Sequence, residues 1–248
     1  MEFKLVFENK DIKIILLENN EEKGSAICYF EDTPILNNGN IGAIGEFKCE
    51  NKEYGVHLLK KCEEVLKEKG RKFIVLPMNR DTWHKYRVLK YTSGEDSFLL
   101  ENVNPMKDNE IFLNAGFNEI FTYTSTKGKL AESYKSQSLD LLEEKIKENN
   151  ITIRKFDKNN YINDLKEIYD ITIKSFEKNP FYIKISEDEF LKQYEEYIKM
   201  VDEELILIAE KDGKGIGFVF CIPDFNEMKT KRKNRNDYYE NSCKLARV

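Results

Sequence analysis

The sequence predicts an α/β (α+β) fold with a mixed, mostly antiparallel sheet flanked by helices. Three observations carry the prediction. The N-terminus holds short β-branched and aromatic runs, "FKLVF", "IKIILLE" and "SAICYF", separated by Asn, Glu and Gly, which read as an antiparallel meander. Residues 48–79 pass from an apolar strand through one tight loop into a long helix and then a second strand. Beyond Asn150, "ITIRKF", two helical periods and the pair "ELILIAE" and "GIGFVFCIP" repeat the mixture of strand and helix.

Taken in order, the meander is followed by "EDTPILNNGN", a loop by its Pro, Asn-Gly and Asp content. "IGAIGEFKC" is a strand bearing small residues. From Glu53 to Lys69, Tyr54, Leu58, Cys62, Val65 and Leu66 share one helical face, with Lys and Glu on the other. Gly70 stops that helix. "KFIVLP" is a compact apolar strand expected at the centre of the sheet. The polar-aromatic segment "NRDTWHKYR" leads to "FLLENVNP", "NEIFLNAGF" and "EIFTYTST", read as strand, helix and strand. A helix from Ser138 to Glu148 carries Leu139, Leu142 and Ile146 on one side.

A boundary is expected at Asn149-Asn150. Past it, Ile162, Leu165, Tyr169, Ile173 and Phe176 are spaced as one helix face, and Ser186 with Glu189 resembles a capping box opening a second helix. "KDGKG" turns the last two strands into a hairpin. The final stretch is rich in Lys, Arg and Asn, shows no period, and reads as a loose charged tail.

Composition excludes several function classes. Hydrophobic content of 40% and aromatic content of 12% describe an ordered chain long enough for a real core. A net charge of -5 disfavours general nucleic-acid binding. The apolar runs are too short to span a bilayer, and "MEFKLVFENK" lacks a signal-peptide pattern, so a cytoplasmic protein is expected. Cys28, Cys49, Cys62, Cys221 and Cys243 are scattered without a CxxC, which reads as reduced thiols rather than zinc ligands or a disulfide framework. His57 and His84 are too few and too separated for a metal site and read as lone polar helix residues. Trp83 reads as core, lid or the lining of an acceptor pocket.

The segment "KCENKEYGVHLLKKCEEVLKEKG", the helix "NPMKDNEIFLNAGF" ending in Gly-Phe, and the hairpin "LILIAEKDGKGIGFVFCIPDFNE" resemble parts of the GNAT acyltransferase family, which uses acetyl-CoA to acylate amines. The resemblance implies two GNAT-like halves. Residues 1–149 would hold the CoA-binding loop and helix, residues 150–227 a partial second half, and residues 228–248 the basic tail. Departures accompany it. The family loop reads Gln or Arg, two residues, Gly, one residue, Gly or Ala. Only Gly55 of "ENKEYG" matches, with Glu50 and Glu53 at positions where Gln or Arg and a glycine are expected.

The resemblance also implies roles for single residues. Phe47, Lys48 and Cys49 would offer the thioester their backbone from the strand that begins at Glu46, and Lys52, Tyr54, Gly55, Val56 and Asn79 complete the implied acetyl-CoA contacts. The cradle would work through N–H groups and the dipole at the helix N-terminus. Glu46, or next to it Glu50, is the implied base, competing with a plain reading as a strand-end charge. Tyr86, at the family's spacing from Asn79, is the implied acid, with packing as its alternative role; as a further departure, Phe112, which cannot donate a proton, stands at the corresponding spot of the helix ending in Gly116-Phe117. Cys49 as an acyl-carrying thiol lacks an evident His partner. The implied partner is a small-molecule or peptide amine, with a homo-oligomer left open. Two other readings stand beside the enzyme: a non-catalytic GNAT-like module binding a ligand or protein, and a nucleic-acid contact by the tail from Lys229 to Arg235.

Overall fold

The computed structural model describes residues 1–94, 97–98, 101, 104–126, 137–198 and 201–223. The strand expected at "FLLENVNP" lies partly outside these residues, and the tail from residue 228, with Cys243, lies wholly outside. The described residues form a mixed α/β fold with mostly antiparallel sheets flanked by helices. They divide into two compact units, Met1–Tyr123 together with Lys178–Ile183, and Thr124–Glu177 together with the chain from Lys184. The division read from sequence at residues 149 and 150 falls inside the second unit.

In the first unit, β1 (Glu2–Glu8), β2 (Asp11–Glu18) and β3 (Glu21–Tyr29) form the expected meander. A small hairpin, β4 (Ile35–Leu36) and β5 (Gly39–Asn40), leads into β6 (Gly42–Cys49). Then come α1 (Lys52–Glu68), β7 (Ile74–Val75) and α2 (Met106–Asn114). The sheet order is β1-β2-β3-β6-β7, antiparallel except for the parallel β6–β7 pair. So "KFIVLP" contributes a two-residue edge strand, not a central one. Pro77 has no N–H to extend the ladder. Residues 119–126, read as a strand, form none; Ile120, Phe121 and Tyr123 are exposed there.

Alternation sorts side chains onto two faces. Ile12, Ile14, Leu16, Ala26, Cys28 and Ile44 meet Leu58, Leu59, Cys62, Val65 and Leu66 of α1 and Ile111 and Phe112 of α2. Each such Ile or Leu contributes about 2 kcal/mol by leaving water. The opposite face gathers Tyr29, Ile41, Ala43 and Met78, with Tyr86 and Phe181 half-buried against them.

In the second unit, β8 (Ile151–Lys155), β9 (Ile206–Lys211) and β10 (Lys214–Phe220) make an antiparallel sheet of order β10-β9-β8. α3 (Gln137–Glu148) packs on β8, α4 (Tyr161–Phe176) on β10, and α5 (Glu187–Ile198) on α4. Ser186 caps α5, its Oγ accepting from Glu189 N at 3.2 Å. The buried stripe of α4 differs from the apolar spacing: Asp164 and Thr172 are buried with Leu165, Ile168 and Tyr169, while Ile162 and Phe176 face out. Leu139 and Leu142 of α3 are likewise exposed.

Asp164 is buried because Arg154 on β8 neutralises it. The guanidinium donates to Asp164 Oδ2 at 2.8 Å, Glu167 Oε2 at 2.9 Å and Glu210 Oε1 at 2.5 Å. One arginine thus ties β8 and β9 to α4. Replacing it leaves three carboxylates facing one another. Arg154→Met is expected to cost about 3 kcal/mol, read as lost hydrogen-exchange protection at β8 and β9; unchanged protection would mean that solvent already screens the cluster.

Candidate functional site

The site starts from an irregularity in β6. Against β3, Ile27 pairs with Gly45 and Ser25 with Lys48, so Glu46 and Phe47 together oppose Ala26. The extra residue makes a β-bulge and reverses the alternation beyond it. Ile44 faces the α1 side before the bulge, and Phe47 and Cys49 face it afterwards. Glu46 takes a left-handed backbone, φ 47°, which strains a non-glycine residue by about 1–2 kcal/mol.

Asn79, just past β7, holds this bulge from both ends. Its Oδ1 accepts from Glu46 N at 3.0 Å, and its Nδ2 donates to the Glu46 carboxylate. The approach is so close that a Cβ on Gly45 would lie 2.2 Å from Asn79 Oδ1 and 2.8 Å from Met78 O. Only glycine fits at position 45. Of the expected residues, the structure therefore brings Glu46 and Asn79 into contact. Asn79 N in turn donates to Lys85 O at 2.8 Å, and Met78 bridges to Tyr86, which sets Tyr86 on the next segment over.

Tyr86 lies on the face away from α1, at the cluster of Tyr29 and Met78. Burial is the largest influence on its hydroxyl and raises its pKa, with Arg87 opposing. Its ring stands edge-on to Tyr123 at 6.0 Å. Tyr29 nearby is pushed up to about 12, first by burial and then by the charges of Glu46 and Asp11. Arg80 lies over the Tyr29 ring, 5.2 Å from its centroid, and donates to Asp11 Oδ2 at 2.5 Å and Glu31 O at 3.0 Å.

The other expected contacts lie around the start of α1. Asn51 caps the helix by accepting from Tyr54 N at 3.0 Å, which leaves the Lys52 and Glu53 amides as the outward-facing first-turn donors. The Lys52 ammonium pairs with Glu110 at 2.6 Å, and Lys107 donates to Cys49 O at 3.0 Å. Lys48 is exposed and Val56 half-buried. The Tyr54 hydroxyl donates to Glu18. An open groove of about 460 Å³ runs past Lys52, Glu53, Val56, His57 and Asn114.

Gly55 has a packing role. A Cβ there would lie 2.7 Å from Ile111 Cγ2, 3.0 Å from Cys49 Sγ and 3.2 Å from Phe47. It lets α1 close onto α2 and β6. Phe47 also stacks edge-on against Phe112 at 5.1 Å. Burial, against the opposing charge of Lys107, pushes the Cys49 thiol up and away from a reactive thiolate.

His84 differs from its reading as a lone helical residue. It lies outside any helix, with Nδ1 2.8 Å from Asp81 Oδ1, the same oxygen that accepts from Trp83 N. The indole of Trp83 donates to Ile183 O at 2.8 Å. Among the described residues, no group of three or more His, Cys, Asp and Glu is arranged to hold a metal, and no helix is long and apolar enough to cross a membrane.

Sequence reasoning missed Arg80, Arg87 and Phe181. With Glu46, they are the described residues other than Gly, Asn and Asp that adopt positive φ: 47°, 71°, 77° and 60° for Glu46, Arg80, Arg87 and Phe181. All four belong to the first unit. Such strain gathers at functional sites because neighbouring structure must enforce it. A broken alternation from Ile44 to Phe47 and Cys49 was the one signal available for the bulge.

Two outcomes test this geometry. Asn79→Ala orphans the Glu46 amide and should destabilise the first unit by about 1–2 kcal/mol, read by Trp83 fluorescence in urea; Asn79→Asp should cost more at neutral than at acidic pH, because it opposes two carboxylates. Tyr29 prefers its neutral form when folded, so its contribution is complete below pH 10 and is lost as pH rises toward 12. The loss should be about 2–3 kcal/mol, and Tyr29→Phe should flatten the stability curve over that window.

No protein-family model matches the chain, and no curated protein matches it. Among solved structures, it is similar to a GCN5-related glucosamine N-acetyltransferase region in the fungal multi-domain GH3 beta-N-acetylglucosaminidase, with 14% identity and a TM-score of 0.40. The similarity covers 86% of this chain and 23% of that one, so the chain spans about a quarter of that protein's length.

Proposed function

We propose that the chain is a GNAT-type N-acyltransferase that moves an acetyl group from acetyl-CoA to the amine of a small molecule or peptide, in the cytoplasm. The observation that carries the reading is the bulge in β6, pinned by Asn79 where β7 ends and adjoining the loop into α1. The sheet loses its edge partner there, so a thioester can lie along Phe47–Cys49 with its phosphates toward the first turn of α1. The Lys52 side chain and the groove beside His57 and Asn114 would take the nucleotide end.

In this reading Glu46 accepts a proton from the acceptor ammonium, directly or through water, and Asn79 holds its carboxylate in place. The amine then attacks the carbonyl carbon, the carbon–sulfur bond breaks as Tyr86 gives its proton to the departing thiolate, and the second proton that the new amide nitrogen sheds passes through water to the Tyr86 oxygen. Burial keeps the Tyr86 hydroxyl protonated, as a general acid requires. Free thiols at Cys28, Cys49, Cys62 and Cys221 accord with a reducing compartment.

A second reading, a non-catalytic module of the same type, is favoured by one observation. Gly55 is closed off by Ile111 and Cys49, and Phe47 packs on Phe112, so the inner part of the thioester path is partly filled. Calorimetric titration with acetyl-CoA, and with desulfo-CoA for comparison, separates the two. Micromolar binding that weakens at least tenfold in Lys52→Glu is expected for the enzyme; absence of binding by the folded chain favours the module. In an enzyme that binds, Tyr86→Phe should lower thiol release on an amine panel at least tenfold without changing acetyl-CoA affinity, and unchanged turnover would remove Tyr86 from the mechanism.

A further inference from the structure

Arg87 is held in an unusual way. Its guanidinium carbon lies 4.6 Å from the centroid of the Tyr86 ring and 4.8 Å from that of Tyr123. The two rings meet at 86°, so they form a corner around the cation. Among the described residues, no carboxylate or carbonyl accepts from this guanidinium, whereas Arg80 is neutralised by Asp11 and Arg154 by three carboxylates. Arg87 is also only half-buried, so its donors reach solvent.

The backbone adds an independent point. Arg87 sits at φ 77°, where a residue other than glycine is strained. Arg87 N is nevertheless fixed by Pro77 O at 3.1 Å. The chain thus holds a strained residue in place, and what that conformation delivers is a planar cation braced by two aromatic faces. Such bracing fixes the fork of N–H donors without using any of them. A fork oriented and left open is suited to a carboxylate or phosphate, which it can bind through two parallel hydrogen bonds.

We propose that Arg87, with Tyr86 and Tyr123 as walls, is a binding site for an anionic group, and that the acceptor is an amine that also carries a carboxylate or a phosphate. The site is independent of acetyl-CoA; only the word acceptor rests on the acyltransferase reading. An anion bound here lies beside Tyr86, the residue assigned as acid, so the acceptor would be anchored next to the reacting groups.

The test uses the full chain, with the Arg87 Nε–H signal followed by NMR without acetyl-CoA. Phenyl phosphate and phenylacetate are the anionic probes, and benzyl alcohol is the neutral one. The expected result is a saturable shift of that signal with one or both anions, larger than with benzyl alcohol, and a Kd, read for parent and variant alike from the broadening of the probe's own ring-proton signals, at least tenfold weaker in Arg87→Gln. The phosphate and carboxylate arms distinguish the two sources. If Arg87→Gln does not fold, Arg87→Lys keeps the charge but loses the fork, and should also weaken binding. Anions that move Arg87 no more than benzyl alcohol, or a folded variant that binds them as well as the parent, would overturn the proposal. Failure of acetyl-CoA to bind would sink the acyltransferase reading and leave this site standing. An unmoved Arg87 in a chain that does bind acetyl-CoA would sink this inference alone.

Discussion

The first unit depends on one side chain that stands in for a strand. β7 supplies two residues and ends, yet β6 continues for several more. Asn79 covers the start of that gap by offering the amide carbonyl and amino group that a neighbouring backbone would have offered to Glu46. The close fit explains why position 45 carries no side chain. It also explains how a left-handed Glu46 persists in a strand. Bulge, glycine and amide are one arrangement, and none of its parts makes physical sense alone.

That arrangement sorts the chemistry onto two faces. Before the bulge, β6 sends Ile44 into the core under α1; after it, the same side receives Phe47 and Cys49. Glu46 is the residue in excess, freed from the alternation and held by hydrogen bonds. On the opposite face lie Tyr29, Tyr86 and the two strained arginines, Arg80 and Arg87. Glu46 on the bulge and Tyr86 on the far face are joined through the adjacent residues Asn79 and Met78. The α1 side offers a more mixed field, with Lys52 and Lys107 set among Glu50, Glu53 and Glu110. A phosphate there would rely on amides and the helix dipole more than on net charge.

Much of the frame was legible from the residues. The meander, β6, α1 and its stop, α5 with its serine cap, and the closing hairpin follow from periodicity and turn chemistry, because their burial is local and regular. The centre-strand reading of "KFIVLP" failed because apolar content reports burial and not position in a sheet. The apolar run at 119–126 found no strand to pair with. α4 turned a different stripe inward, since Arg154 makes burial of Asp164 favourable and that partner is distant in sequence. The candidate site was half legible: Glu46, Asn79 and Tyr86 were singled out, while Arg80, Arg87 and Phe181 matter through backbone angles and ring contacts that no local pattern encodes.

The path of the chain carries a consequence for its synthesis. It leaves the first unit after Tyr123, returns for Lys178–Ile183, and leaves again. Within that return, Ile183 supplies the carbonyl that Trp83 uses, and Phe181 packs with the Tyr29 cluster and lies 5.9 Å from Phe121. On the ribosome, the first unit therefore waits for a segment made long after its sheet has emerged. The aromatic face cannot close before that moment, whereas the α1 face can, so the two sides of one sheet mature at different times.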